Sequence, residues 1–136
     1  MEFILKKFDR SDRLIVDMIK AWWGAKVGAI LSDAVLTDSG YLILDDMNQP
    51  LVASFLYPIQ GCEAALIGFP IANPKLDKAL RHKSIHLLTT SIEKEAKKLN
   101  YRFLVSYAGS KGAVDMFNRE GYKVYDKEVV NFGKVL

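Results

Sequence analysis

The period of the apolar positions changes several times along the chain, and each change predicts a new element. "EFILKKF" alternates, with Phe3, Leu5 and Phe8 directed inward, which predicts a first strand. The period then lengthens. In "DRSDRLIVDMIKAWW", Leu14, Ile15, Met18, Ile19 and Trp22 recur at helical spacing, with Asp9 or Ser11 as the cap. Gly24 and Gly28 are expected to interrupt that helix, leaving "GAKVGAILSDAVL" as a turn and a second short helix. "GYLILDD" and "PLVASFLY", separated by Met47, Asn48 and Gln49, predict an antiparallel hairpin. Pro58, Gln60 and Gly61 close it, and "CEAALIGFPI" supplies the next strand.

Asn73 followed by Pro74 is a helix-start signal, since asparagine caps free backbone N–H groups and proline suits the first helical position. Beyond it, Leu76, Leu80, Leu87, Leu88, Ile92, Ala96 and Leu99 form one apolar stripe. Lys75, Lys78, Lys83, Glu93, Lys94, Lys97 and Lys98 lie opposite, and Asn100 is the expected C-terminal cap. "YRFLVSY" reads as a buried strand, "GSKGAVDMFNREGY" as a short helix ended by Gly121, and "KVYDKEVVNFGKVL" as a final strand or hairpin. The order is strand, two helices, three strands, helix, strand, helix, strand. It predicts an α/β (α+β) fold, with a mixed, mostly antiparallel central sheet flanked by helices. No repeat or linker breaks the pattern, so residues 1–136 read as one domain.

Composition narrows the function classes. Half of the 136 residues are hydrophobic and the formal net charge is +3, too balanced for a nucleic-acid binder. "EKEAKK" mixes signs and reads as a solvated helix face. The lone Cys62 has no internal disulfide partner, which suits a reducing, cytoplasmic setting, and it reads as a small buried hydrophobe. "MEFILKKF" lacks the apolar core of a signal peptide, and "PLVASFLYPI" has about half the length of a membrane span. The expectation is therefore a soluble protein with neither nucleic-acid nor membrane partner. His82 and His86 are spaced i, i+4, yet no third ligand cluster accompanies them, so no metal is expected.

The element order and two motifs resemble the GCN5-related N-acetyltransferase (GNAT) superfamily. Members commonly read N-x-x-A-x-x-x-Y-x-x-x-G-F near the C-terminus. Here "SKGAVDMFNREGY" places Ser110, Ala113, Phe117, Gly121 and Tyr122 at the same spacing. Ala113 lets the helix approach the sheet, Phe117 lies one turn on, and Gly121 ends the helix. In the family, R/Q-x-x-G-x-G/A opens the long helix, whose N–H groups hold the pyrophosphate of acetyl-coenzyme A. The physical reasons are the helix dipole and close backbone approach at glycine. "LRHKSIHLL" keeps Arg81 but has Ser84 and His86 at the small positions. Two placements are open: a helix from Asn73 would use up the N–H groups near Ser84, whereas a helix from Arg81 would leave a reduced anion site with His82 and Lys83. The stripe beginning at Leu76 favours the first.

The resemblance implies acetyl transfer from acetyl-CoA to a primary amine on a small molecule or a protein. Gly68, Phe69, Ile71 and Ala72, beside Pro70, would hold the thioester and pantetheine on a distorted strand. Arg81, Lys83 and Ser84 would face the phosphates, and Ser110 and Phe117 the cofactor arm. Glu63, the one acidic residue of "CEAALIGFPI", is the candidate general base, and Phe117 replaces the tyrosine that commonly serves as acid. Trp22 and Trp23 fall where the family shapes its acceptor cleft; being adjacent on a helix, they point in different directions, and one of them is expected in the core. The rival class is a GNAT-like fold that has lost its cofactor and acts as a protein-binding or regulatory module. Ser84, His86 and Phe117 all point that way. An exposed strand leaves room for a two-fold homodimer.

Overall fold

The computed structural model describes residues 2–128, 130 and 132–136. Strand β1 (Ile4–Phe8) leads into helix α1 (Arg13–Val27) and a single 3-10 turn (Asp33–Val35). Strands β2 (Gly40–Leu44), β3 (Pro50–Pro58) and β4 (Ala64–Ala72) follow, then α2 (Lys78–Lys98), β5 (Phe103–Val105) and α3 (Lys111–Arg119). The five strands lie in chain order, antiparallel except for the parallel pair β4 and β5. This is the mixed, mostly antiparallel sheet flanked by helices that the periodicity predicts.

Alternation along the strands supplies two cores, one on each face of the sheet. Phe8, Leu42, Ala53, Phe55 and Ile71 pack with Val16, Ile19 and Trp22 of α1. Tyr41, Ile43, Val52, Leu56 and Ile67 pack with Leu88 and Ile92 of α2 and with Met116 and Phe117 of α3. Phe3 packs on the second face and Phe8 on the first, so the two do not share the single inward face expected of them, while Leu5 on the outer strand is exposed. At Gly40, a Cβ would fall 2.4 Å from the Phe8 ring, so glycine lets that ring lie flat on its cross-strand neighbour. The hairpin between β2 and β3 is tied by Asp45, whose carboxylate accepts from the N–H groups of Met47 and Gln49, both at 2.8 Å.

Several boundaries differ from expectation. Helix α1 runs through Gly24 and ends at Gly28, which is left-handed (φ 72°), and the expected second helix is only the 3-10 turn. Its N-cap position is Asp12, because Asp9 instead accepts from Ser11 N–H (2.8 Å) in a local turn. Leu14 is 91% exposed and Val16 takes the core position. Asn73 and Pro74 do not open α2: Asn73 Oδ1 accepts from Lys75 N–H (3.1 Å), and Asp77 becomes the cap, accepting from Leu80 N–H (2.8 Å). Asn100 (φ 67°) and Gly121 (φ 84°) end α2 and α3 as expected. Strand β5 has three residues and lies at the sheet edge, which leaves Phe103 exposed rather than buried. Among the described residues no strand follows α3, where "KVYDKEVVNFGKVL" was expected to form one; Val129 and Asn131 of that segment lie outside the described residues. Cys62, expected to be buried, is exposed in the turn before β4.

Ser54 is fully buried, and its hydroxyl donates to the Gly68 carbonyl at 2.8 Å across an irregular stretch of β3 and β4. Removing one partner of a buried pair costs roughly 1–3 kcal/mol. Ser54→Ala should therefore lower the unfolding free energy in urea by about that amount. A loss within the roughly 0.5 kcal/mol typical of surface substitutions would mean the hydroxyl does not hold this stretch.

Candidate functional site

Strand β4 changes phase in its middle. Ala65 and Ile67 point to the α2 face, whereas Phe69 and Ile71 point to the α1 face. A bulge explains the switch: Phe55 pairs with Gly68 and Ala53 with Ile71, so β4 carries one extra residue, and Phe69 sits at φ 51°. Gly68 is required there by crowding, since a Cβ would fall 2.8 Å from the Tyr57 ring. Pro70 beside it has no N–H to contribute to a ladder.

Beyond the bulge the sheet opens. The pairing of β4 with β5 ends at Leu66 and Val105, and the Ser106 hydroxyl makes one further link to the Ile67 carbonyl (2.7 Å). From Gly68 to Ala72, β4 has no strand partner on that side among the described residues. The start of α2 follows directly after this stretch. The first N–H groups of a helix have no intrahelical partner, so those of Lys78 and Ala79 are open to a ligand.

Lys26 of α1 lies near Arg81, and Arg119 of α3 near His82, in the first two turns of α2. Desolvation and the nearby Arg81 guanidinium hold Lys26, from the end of α1, below the ordinary lysine value. Desolvation first, then Arg119 of α3, Arg81 and Lys78, holds the His82 imidazole below its usual range. None of Lys26, Lys78, Arg81 and Arg119 forms an ion pair among the described residues. The opposing charge is the capping carboxylate of Asp77.

On the α1 side of the bulge lies a cavity of about 320 Å³, walled by Trp23, Ile30, Leu31, Ser32, Val35 and the Phe69 ring. Trp23 meets Phe69 edge-to-face at 5.7 Å, and Tyr57 meets it at 6.1 Å while donating its hydroxyl to the Val35 carbonyl (2.7 Å). Burial pushes the Tyr57 phenol well above its ordinary range. A larger hollow of about 1090 Å³ lies elsewhere, between the C-terminal half of α2, β5, α3 and the segment 121–127.

The structure brings together only some of the residues singled out in the sequence. Gly68 and Phe69 form the bulge, while Ile71 and Ala72 continue the unpaired stretch with their side chains in the two cores. Arg81 stands in the first turn of α2, but its N–H is bonded to the Asp77 carbonyl (3.0 Å). Lys83 turns the other way, over the Phe3 ring. Ser84 is fully buried with its hydroxyl bonded to the Leu80 carbonyl (2.7 Å), so it faces the sheet rather than the helix start. His86 bonds Glu120 (2.7 Å), clipping α2 to the end of α3. Ser110 caps α3, accepting from Ala113 N–H (3.2 Å), and Phe117 is buried against Tyr122. Trp22 belongs to the core and Trp23 to the cavity wall. Glu63 is exposed in the turn before β4, five residues before Gly68, or roughly 16 Å at strand rise. Sequence reasoning missed Lys26, Asp77 and Arg119, which converge only through the packing of three helices; the pattern D-x-x-L before an apolar stripe was the available signal for Asp77.

By sequence, no family model and no curated protein matches the chain. By structure it is similar to a probable acetyltransferase (TM-score 0.71, 12% identity, covering 100% of this chain and 98% of the other). It is also similar to an aminoglycoside acetyltransferase from an uncultured soil metagenomic sample, solved with trehalose (0.67, 13%, 98% and 96%). A third is AAC(6')-Iy, solved with the bisubstrate analog CoA-S-monomethyl-acetylneamine (0.68, 8%, 99% and 100%). The fold is that of the GNAT acetyltransferases.

An anion seated among these cations should relieve the field on His82. Adding inorganic pyrophosphate should raise the His82 titration midpoint seen by NMR, and Arg81→Ala should raise it without ligand. A midpoint unmoved at high pyrophosphate would place the anion elsewhere.

Proposed function

We propose that this protein is an N-acetyltransferase that moves the acetyl group of acetyl-CoA to a primary amine. The observation that carries this reading is the parting of β4 from β5 at a bulge, beside a helix start surrounded by unpaired cations. A polyanion fits the helix start: Lys26, Lys78, Arg81 and Arg119 would hold phosphates, with the open N–H groups of α2 beneath them. The unpaired edge of β4 offers backbone groups to an extended amide-bearing arm. Acetyl-CoA, when bound, supplies the activated acyl group. AAC(6')-Iy, of similar fold, was solved with a CoA bisubstrate analog, which adds weight to this reading.

The cavity beside the bulge supplies no base, because its lining holds no ionisable side chain. Glu63 stands too far off, and Phe117 has no proton to give. The protein's part is then to position the acyl group, exclude water and admit an amine that arrives already neutral. Features that favour a cofactor-free binding module instead are Asp77 at the helix cap and the burial of Ser84 and Phe117.

Thermal unfolding separates the two. Acetyl-CoA at 100 times its dissociation constant should stabilise the fold by about 2.7 kcal/mol, a midpoint rise on the order of 10 °C, with adenosine diphosphate giving less. No rise at millimolar acetyl-CoA selects the binding module. Asp77→Asn keeps a capping side chain and removes its charge. It should tighten acetyl-CoA by about 0.3–1 kcal/mol, read by calorimetry; weaker binding would show that the carboxylate does not oppose the ligand. With no base lining this cavity, kcat/KM should climb about tenfold per pH unit up to the pKa of the amine itself. A plateau setting in near neutral pH would reveal an enzyme base and defeat this expectation.

A further inference from the structure

The cavity on the α1 side of the bulge has a chemistry of its own. Phe69 belongs to both features: its backbone forms the bulge and its ring closes the cavity wall. The cavity therefore lies beside the bulge, on the α1 face of the sheet. At about 320 Å³ the space is at the small end of ligand pockets, suited to one ring rather than a chain of linked sugars.

Its walls are apolar. Trp23, Ile30, Leu31, Val35 and Phe69 make most of the lining, with Ser32 as the polar exception. A polycationic acceptor needs carboxylates, and none lines this cavity. Asp33, next in sequence to Ser32, is already engaged by Lys20 (2.9 Å) and Arg13 (3.2 Å). The Trp23 indole N–H is buried without a partner among the described residues.

We infer that this cavity is the acceptor pocket and that it takes an apolar primary amine built on a single ring, not a polycationic sugar or polyamine. This rests on the acetyl-transfer reading. In the step, the neutral amine nitrogen forms a bond to the thioester carbonyl carbon. The C–S bond breaks with its electron pair going to sulfur, and the proton lost by nitrogen ends on the thiol.

The test compares 2-phenylethylamine with spermidine and an aminoglycoside as acceptors, with acetyl-CoA binding measured separately by calorimetry. Ala29 is exposed at the cavity rim, so Ala29→Trp can fill the space from outside the sheet. The expected result is a kcat/KM for 2-phenylethylamine at least about tenfold above either polycation, a factor worth about 1.4 kcal/mol. Ala29→Trp should raise its KM by a similar factor and leave the acetyl-CoA affinity unchanged. If acetyl-CoA binds but 2-phenylethylamine is inert, is no better than the polycations, or is indifferent to Ala29→Trp, the inference is overturned and the acetyl-transfer reading survives. If acetyl-CoA does not bind the unmodified protein, that reading falls and takes the inference with it.

Discussion

One extra residue in β4 governs the rest of the site. A strand with period two keeps a given parity on one face, and an insertion moves every later side chain to the other. Here the change at Gly68 and Phe69 sends Phe69 and Ile71 toward α1, after Ala65 and Ile67 have packed against α2. The same irregularity coincides with the end of pairing to β5, because a bent strand cannot stay in register with a straight short neighbour. Ser54 answers the Gly68 carbonyl and Tyr57 crowds its Cα, so the bend is held from the β3 side by a hydrogen bond and by shape. Without the bulge, Phe69 would face α2 and the cavity on the α1 side would lose a wall.

At the start of α2, two electrostatic preferences compete. Helix capping favours Asp77, whose carboxylate satisfies the Leu80 N–H and sits well in the helix dipole. Anion binding favours an uncharged cap. The fold answers with position rather than with glycine: Lys26 from α1 and Arg119 from α3 reach the same end as Lys78 and Arg81. Each exposed cation contributes little alone, but several around one polyanion act together; desolvation first, and then Arg119, Arg81 and Lys78, lowers the His82 imidazole. Ser84 and His86, the positions where the family pattern wants small residues, stand beyond this end of the helix and serve packing and the clip to Glu120 instead.

The order of the five strands and three helices was legible because it rests on periodicity, though the expected second helix is a 3-10 turn and no final strand is seen among the described residues. The ends of α2 and α3 were legible because Asn100 and Gly121 tolerate left-handed backbone where other residues do not. The start of α2 was misread because Asn73 has two local uses for its side chain. It took the turn, bonding Lys75 N–H, and left the cap to Asp77. The bulge was half legible: Gly68 and Pro70 announce an irregular strand, yet nothing local says that Phe69 takes the positive φ. Adjacent tryptophans at helical angles had to point apart, and the packing put Trp22 in the core and Trp23 on the cavity. The cluster of Lys26, Arg81 and Arg119 left no mark in the sequence, since residues far apart along the chain meet only after three helices dock.

The distance of Glu63 from the bulge and the phenylalanine at position 117 weigh less against the proposed reaction than they first suggest. General acid–base catalysis contributes roughly 10²–10⁴-fold, or about 2.7–5.5 kcal/mol of barrier. Holding two reactants in line supplies about 7–11 kcal/mol, and it asks for rigid backbone and a dry pocket rather than for titratable side chains. The first is present in a bulged strand fixed by buried Ser54 and Gly68; the apolar cavity that shares the Phe69 ring is open to solvent, so water would be displaced by the occupant itself. On the acetyl-transfer reading, phenylalanine at position 117 would remove a proton donor and leave the alignment of the two reactants to the backbone.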